Sequence, residues 1–499
     1  MEFQHKIVSI LLVIAMTALV IFGSTREIRK IEDDNNDGAW YSRSDTIYFW
    51  YSDPALTDYI NKAAVDFGER ENVHVLPMLI TADGYLETIN VASVENNQMP
   101  DAYILAHESL EMAYMAGVAS EISDPYEVCN EAYFADGALN AITYKGKKVG
   151  YPFSYNTCAL VYNDKYLRDW AQQKALDILN GDTDKYSEGE YFSEMETTVE
   201  DADQNEWVTP DPEETEIYEI DPDLVPYKDL NDTEKETVLA NKTEEVYATA
   251  MPETLYDLLG IADTYDVPNG VTGVMSWDVS DILYNYWIVG GVMNLGGPSG
   301  DSKELLVFDN DETVNCLKRY SYLHNFFSIQ ADAVDYGSVV QDFIDGKMLF
   351  TIGSVDIIAT LEQAKAEERM DFDYGITLIP DVSDEIESRP LALTNAIVVN
   401  GYSEKKDIAN AFASYLVTDF ASELYTRTGK ASCNKMVNLQ NEYLKVFDEE
   451  YARSVPLPKI IELENFWMEL EALFSRIWSG EDIQIQLKDL EETVSHFFG

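Results

Sequence analysis

Residues 144–169 read YKGKKVGYPFSYNTCALVYNDKYLRD, and the fold turns on them. Lys145-Gly146-Lys147 makes a hairpin turn, because glycine beside two polar residues punctuates an otherwise strand-forming run. Val149–Pro152 reads as a short strand and Cys158–Tyr162 as another.

Upstream the pattern alternates. Ile47–Tyr51 (IYFWY) is a run of strand formers, and residues 56–71 carry Tyr59, Ile60, Ala63, Ala64 and Phe67 along one helical stripe. Residues 73–79 (VHVLPML) then read as a second strand. Such β-α-β alternation predicts a parallel sheet covered by helices on both faces. Pro100-Asp101 opens a further strand ending at Leu105, which leaves His107 and Glu108 just past its carboxyl end. Open α/β sheets bind ligands at that place.

The chain has 499 residues, which at about 150 per domain predicts about three domains. Acidic residues number 91 against 34 basic, a formal charge of −57. Nucleic acid is thereby excluded as a partner, since a phosphate backbone needs a cationic face, and so is docking of the body on an anionic lipid surface. An apolar fraction of 46% and an aromatic fraction of 12% are those of a folded chain. Cys129, Cys158, Cys316 and Cys433 are scattered without CxxC spacing. His5, His74, His107, His324 and His496 stand apart from one another, so no metal site and no cofactor are expected. A nucleophile elbow, a P-loop and a dinucleotide fingerprint are all absent, and nothing nominates a catalyst.

Residues 7–23 (IVSILLVIAMTALVIFG) are 17 uncharged, mostly apolar residues, just enough to span a bilayer core as a helix. Residues 1–25 therefore read as a signal peptide or an uncleaved transmembrane anchor, and 26–44 as a linker. Either way the body is exported, and the membrane is met through this N-terminal segment only. Asp33, Asn35, Asp37 and Gly38 imitate a calcium loop, but Ser44 stands at the twelfth position, where a glutamate is needed. Residues 181–250 hold 23 Asp or Glu against 4 Lys. They read as a solvated acidic insertion (about 172–250) looping out of a folded domain, or as a cation- or partner-binding arm. What remains is a comfortable size for two α/β lobes.

A resemblance now enters. Pro152-Phe-Ser154, then Ala159-Leu-Val-Tyr162-Asn163, then Leu167-Arg168-Asp169 resembles the signature of family 1 extracellular solute-binding proteins, the surface or periplasmic receptors of ABC importers. Ala106-His107-Glu108, Met251–Leu258, Trp287–Gly291, Phe343–Lys347, Phe350–Gly353, Tyr374–Pro380, Ile408–Leu416 and Glu464–Trp467 are similar to further landmarks of that family, in order. The acidic insertion, which delays the Met251 landmark, is the chief departure.

The resemblance implies an α/β, two-lobed, type II periplasmic-binding-protein-like fold with ligand in a hinged cleft. The lobes it implies are residues 45–157 and 393–450 for the first, and 158–392 and 451–499 for the second. Crossings are expected near Asn156–Ala159 and Leu393–Ile397. It implies a non-enzyme that binds an oligosaccharide and delivers it to the transmembrane subunits of an ABC permease. Such a receptor would be monomeric and would work at the extracellular face of the cytoplasmic membrane, anchored or secreted. Carried over one at a time, polar cleft positions fall on His107, Glu108, Asn156, Asp278 and Asp356, and aromatic platforms on Trp467, Phe466 and Trp277. Tyr51, Ser52 and Asp53 follow the first strand. Asn156 stands where the maltose receptors carry a carboxylate, and Asp356 where they carry a tryptophan platform, so maltose itself is not implied. Two other readings stay open. One is a polyamine or other cation receptor of the same fold, which Glu108, Asp278 and Asp356 would suit. The other is a membrane-anchored sensor or adhesion protein acting through the insertion.

Overall fold

The computed structural model describes residues 46–95, 98–186, 191–192, 226–331, 333–463 and 466–498. The apolar N-terminal run, the linker and the calcium-loop imitation lie outside them. Among the described residues no helix is long and apolar enough to cross a membrane.

The first lobe is built on a seven-stranded sheet. Its strands are β1 (Thr46–Tyr51), β2 (His74–Leu79), β3 (Ala102–Ala106), β6 (Tyr151–Asn156), β12 (Leu391–Val399), β13 (Ala431–Ser432) and β14 (Val455–Pro456). The order is β13-β6-β12-β3-β1-β2, with β14 on the end of β12. As the alternation predicts, β1 runs parallel to β2 and β3. The wholly parallel sheet expected from it is corrected, because β12 returns antiparallel to both β3 and β6. Apolar side chains bury both faces. Phe49 and Phe67 meet Phe412 at 5.2 and 5.1 Å, and Tyr59 meets Phe153 and Phe420.

Between β3 and β6 lies the expected hairpin, β4 (Thr143–Tyr144) against β5 (Lys147–Lys148). Its two turn residues, Lys145 and Gly146, have φ of 47° and 76°. Positive φ at both central residues is the turn whose twist matches that of paired strands.

The second lobe centres on three strands, with β7 (Cys158–Asn163) between β10 (Phe350–Ser354) and β11 (Tyr374–Thr377), both antiparallel to it. Period-2 alternation divides β7, since Ala159 and Val161 join one apolar core while Cys158 and Leu160 join the other. β11 packs so closely that a Cβ on Gly375 would lie 2.2 Å from the Tyr162 ring. On the far face Trp277 and Tyr320 pack against Trp478 at 5.4 and 4.9 Å. A short hairpin, β8 (Asn294–Leu295) with β9 (Leu306–Val307), completes the strands.

Among the described residues three crossings join the lobes, side by side. Asn156 at the end of β6 pairs with Leu393, and Val455 in β14 pairs with Leu391. Thr157, fully buried between β6 and β7, donates its hydroxyl to Leu391 O at 2.8 Å. The helix Glu442–Arg453 straddles the junction. Tyr451 stacks on Tyr155 of the first lobe at 4.1 Å, and Tyr443 on Tyr374 of the second at 4.8 Å.

The insertion needs correcting in part. Its last stretch forms the helix Asp232–Ala248, opened by an Asn231–Glu234 capping box. This helix docks on the helix Asp164–Asn180. Val246 is buried, Tyr247 donates to Asp164, and the Arg168 guanidinium lies 3.9 Å from the Tyr247 ring centre. Phe192 is buried against Tyr256 and Tyr322. A low density of apolar residues in sequence thus conceals a few well-placed anchors.

Candidate functional site

β1 and β3 end side by side, and their carboxyl ends open into a cavity of about 360 Å³. Ser52 and Asp53 enter it from β1, Ala106 and Ser109 from β3, Tyr85 and Leu86 from the next helix. Ser154 of β6 and Asn395 of β12 form its hinge-side wall, with Met112 and Lys430 closing it.

Asp53 is the best-defined group there. One carboxylate oxygen accepts the Ala55 N–H at 2.9 Å, capping the turn that follows β1. The other lies 2.6 Å from Lys430 Nζ. Burial raises its pKa, but the hydrogen bonds from Lys430 and Ala55 and the Lys430 charge outweigh that and hold the carboxyl below its ordinary value. Tyr85 brings a buried hydroxyl without a hydrogen-bond partner among the described residues. Asn395 Nδ2 reaches Ser154 Oγ at 3.4 Å. Tyr51 itself turns inward, buried, with its hydroxyl on Thr57.

Two residues beyond Ser154 along β6, about 7 Å at strand rise, Asn156 crosses to the second lobe and accepts the Val355 N–H at 3.2 Å. Next in chain, exposed Asp356 accepts hydroxyls from Ser354 and from Tyr336, the latter at 3.3 Å. Tyr336 stacks on Tyr284 with centroids 4.6 Å apart. Asp278 is buried and committed, one oxygen to the Ser280 N–H and hydroxyl and the other to the Tyr336 N–H at 2.9 Å. Asn156, Asp278 and Asp356 therefore converge, and the residue that links Asp278 to Asp356 is Tyr336.

Besides Tyr51, three of the sequence-nominated residues sit elsewhere than expected, and Asp278 sits near its expected place but is fully bonded. His107 is fully buried; Nδ1 accepts the Thr394 N–H at 3.2 Å and Nε2–H donates to Leu457 O at 3.2 Å. Burial and the nearby Lys459 charge lower its pKa to about 3, so it is a neutral structural imidazole rather than a cleft contact. Trp277 is fully buried with its N–H on Asn285, and Phe466 is fully buried against Phe308; neither offers a platform to a cleft. Asp278 is consumed as just described. Glu108 is uneven. Its side chain is 39% exposed, yet Oε2 is enclosed without a hydrogen bond among the described residues, 3.5 Å from the neutral His107, and burial raises its pKa. Trp467 stands 42% exposed at the start of the helix Phe466–Trp478 and does not line the cavity.

Sequence reasoning missed Tyr85, Lys430, Tyr284 and Tyr336. For Tyr336 a signal exists, since the Asp335–Ser338 capping box sets it at the first position of the helix leading into Phe343–Lys347. Lys430 carries none, because only the sheet brings it to β1. All four cysteines are buried and free, and the described residues include no cluster able to hold a metal ion.

No protein-family model and no curated protein matches the chain. Solved structures do. The chain is similar to an extracellular solute-binding protein of Staphylococcus aureus in complex with maltose, at 16% identity and a TM-score of 0.66 over 91% of this chain and 98% of that one. A cyclo/maltodextrin-binding protein complexed with maltotetraose superposes with the same TM-score and coverage at 15% identity. A maltose-binding periplasmic protein of Listeria monocytogenes, also with maltose, gives 0.64 at 18% identity over 91% of this chain and 98% of that one. The fold is thus the two-lobed α/β fold of the maltose-binding type of solute-binding protein.

Proposed function

We propose that this chain is a non-catalytic extracellular receptor that binds an oligosaccharide between its lobes and delivers it to an ABC permease. The observation that carries the reading is the cavity at the carboxyl ends of β1 and β3, backed by the hinge strands and mixing an ion pair, hydroxyls, an amide and an aromatic ring. Sugar recognition needs that mixture, with planar hydrogen-bonding groups for hydroxyls and ring faces for the apolar side of a pyranose. Solved relatives of the same fold hold maltose and maltotetraose.

On this reading Ser52, Asp53, Tyr85, Ser154, Asn395 and Lys430 supply the first-lobe half of the site. Asn156, Tyr336 and Asp356 supply the second-lobe half, with Glu108 and Trp467 at its margins. Rotation about the crossings brings the halves together, and contacts made only in the closed state supply the differential affinity. The apolar N-terminal run would hold the receptor at the outer face of the membrane, as a monomer. Lys430 weighs against a polyamine, since it places a cation inside the cavity and already neutralises Asp53. Asp278, enclosed and fully bonded, cannot serve a cation either.

Titrating intrinsic fluorescence with maltose, maltotriose, xylo- and manno-oligosaccharides and spermidine tests the proposal. A saturable response to one glycan series, abolished in Asp53→Ala, is expected. A response to spermidine alone would replace the sugar with a cation.

A further inference from the structure

We propose that Lys459 is the pin of a latch holding the two lobes against each other, and that the latch loosens when the pin takes up a proton. The inference does not depend on what the cleft binds.

The Lys459 side chain is fully buried between the lobes. Its Nζ donates to Asn140 O of the first lobe at 3.0 Å and to Ser299 O of the second. Its own N–H donates to Gly300 O at 2.7 Å. The segment around it is gripped from the first lobe at three further points. His107 holds Leu457 O, and Glu111 accepts the Ile461 N–H at 2.8 Å while Tyr144 donates to its other oxygen. The Lys145 N–H donates to Asp301 at 2.7 Å. Rotation of one lobe against the other about the three crossings has to break these contacts.

Both hydrogen-bond partners of Nζ are uncharged carbonyls, so among the described residues nothing in direct contact compensates the charge of an ammonium. Among the described residues the charged and titratable groups that act on it are Asp301 from the second lobe and His107 from the first, and Glu111 lies two residues along, at Ile461. His107 is neutral, and Glu111 is occupied by Ile461 and Tyr144. Burial lowers the Lys459 pKa from 10.5 to about 7, with the Asp301 charge opposing it. A neutral amine still has two N–H groups for two carbonyls, so the latch survives deprotonation. With the lobes apart, Lys459 meets water and regains its ordinary basicity. Unlatching therefore takes up one proton between pH 7 and 10.5. The latched state is favoured as pH rises through that window, about tenfold per pH unit, gains nothing further above it and loses nothing further below it.

The test is resonance energy transfer in the full-length unliganded chain, with dyes on Tyr126→Cys in the first lobe and Ile485→Cys in the second. Both sites are well exposed and the four native cysteines are buried. Between pH 9 and pH 7 the latched-to-unlatched ratio should fall about fiftyfold. In Lys459→Met the transfer efficiency should be the same at both pH values. If Lys459→Met does not give a cooperative melt, Lys459→Gln, which keeps two N–H donors without a titrating amine, takes its place with the same expectation. A flat wild-type profile overturns the proposal, and so does a pH shift that persists in the substituted chain.

Discussion

The two halves of the cleft are built in opposite ways. On the first-lobe side the polar groups stand at strand ends around open space, and the Asp53–Lys430 pair faces it. On the second-lobe side Asp278, Tyr336, Ser354 and Asp356 bond mainly to one another, and the tryptophan nearest in sequence, Trp277, lies in the core. A side chain already satisfied by its neighbours gains little from a ligand, whereas one at a cavity wall gains a bond it lacked. On the proposed reading the first lobe would hold the ligand, and the second would present a preformed aromatic and carboxylate face to it.

Substitutions can break that contrast, and the largest effect should come from the buried side. Trp277→Ala removes an indole that packs on Phe327 and Trp478, and should cost about 3–5 kcal/mol of stability in urea unfolding. If stability holds and glycan binding vanishes, Trp277 belongs to the site after all. Asp53→Asn should do the reverse. Losing a charge-assisted acceptor should weaken glycan affinity by about 10–100-fold in calorimetry, at about 1.5–3 kcal/mol, and leave the unfolding midpoint nearly in place. His107 sharpens the comparison through pH. Its folded pKa of about 3 lies below the ordinary 6.5, so the unfolded chain binds a proton that the native one refuses. Relative to His107→Gln, the wild type should lose stability as pH falls below 6.5, by about 1.4 kcal/mol per pH unit, and should show no such slope above it. A parallel pair of profiles would mean the imidazole is solvated. Trp467→Ala should be the mildest. At a half-exposed position it should change stability by about 0.5 kcal/mol or less while reducing the fluorescence change on glycan binding, and an unreduced change would remove Trp467 from the cleft margin.

Much of the fold was legible because it is written in local pattern. The β1 run, its following helix, the Lys145-Gly146 turn and the β7 run all fall within a residue or two of their expected places. β6 starts two residues later than the strand read at Val149, because Val149 pairs with Ile142 outside the sheet. The site was less legible. Ser52 and Asp53 could be found because the end of a parallel strand is a place fixed by topology. Lys430 could not, since about 380 residues of chain separate it from its partner. Motif alignment found Trp277 and Phe466 but not their depth, which depends on Trp478 and Phe308 arriving from elsewhere. The helix Asp232–Ala248 escaped for the same reason, its anchors Arg168 and Asp164 belonging to another helix.

β12 lies between β3 and β6 in the first-lobe sheet, yet it begins at Leu391 of a 499-residue chain. During synthesis at about 5–20 residues per second, the strands from β1 to β6 wait roughly 10–50 s for the one that closes them. The half of the molecule made first is therefore completed late. Until then the apolar faces of β3 and β6 that β12 covers stay open.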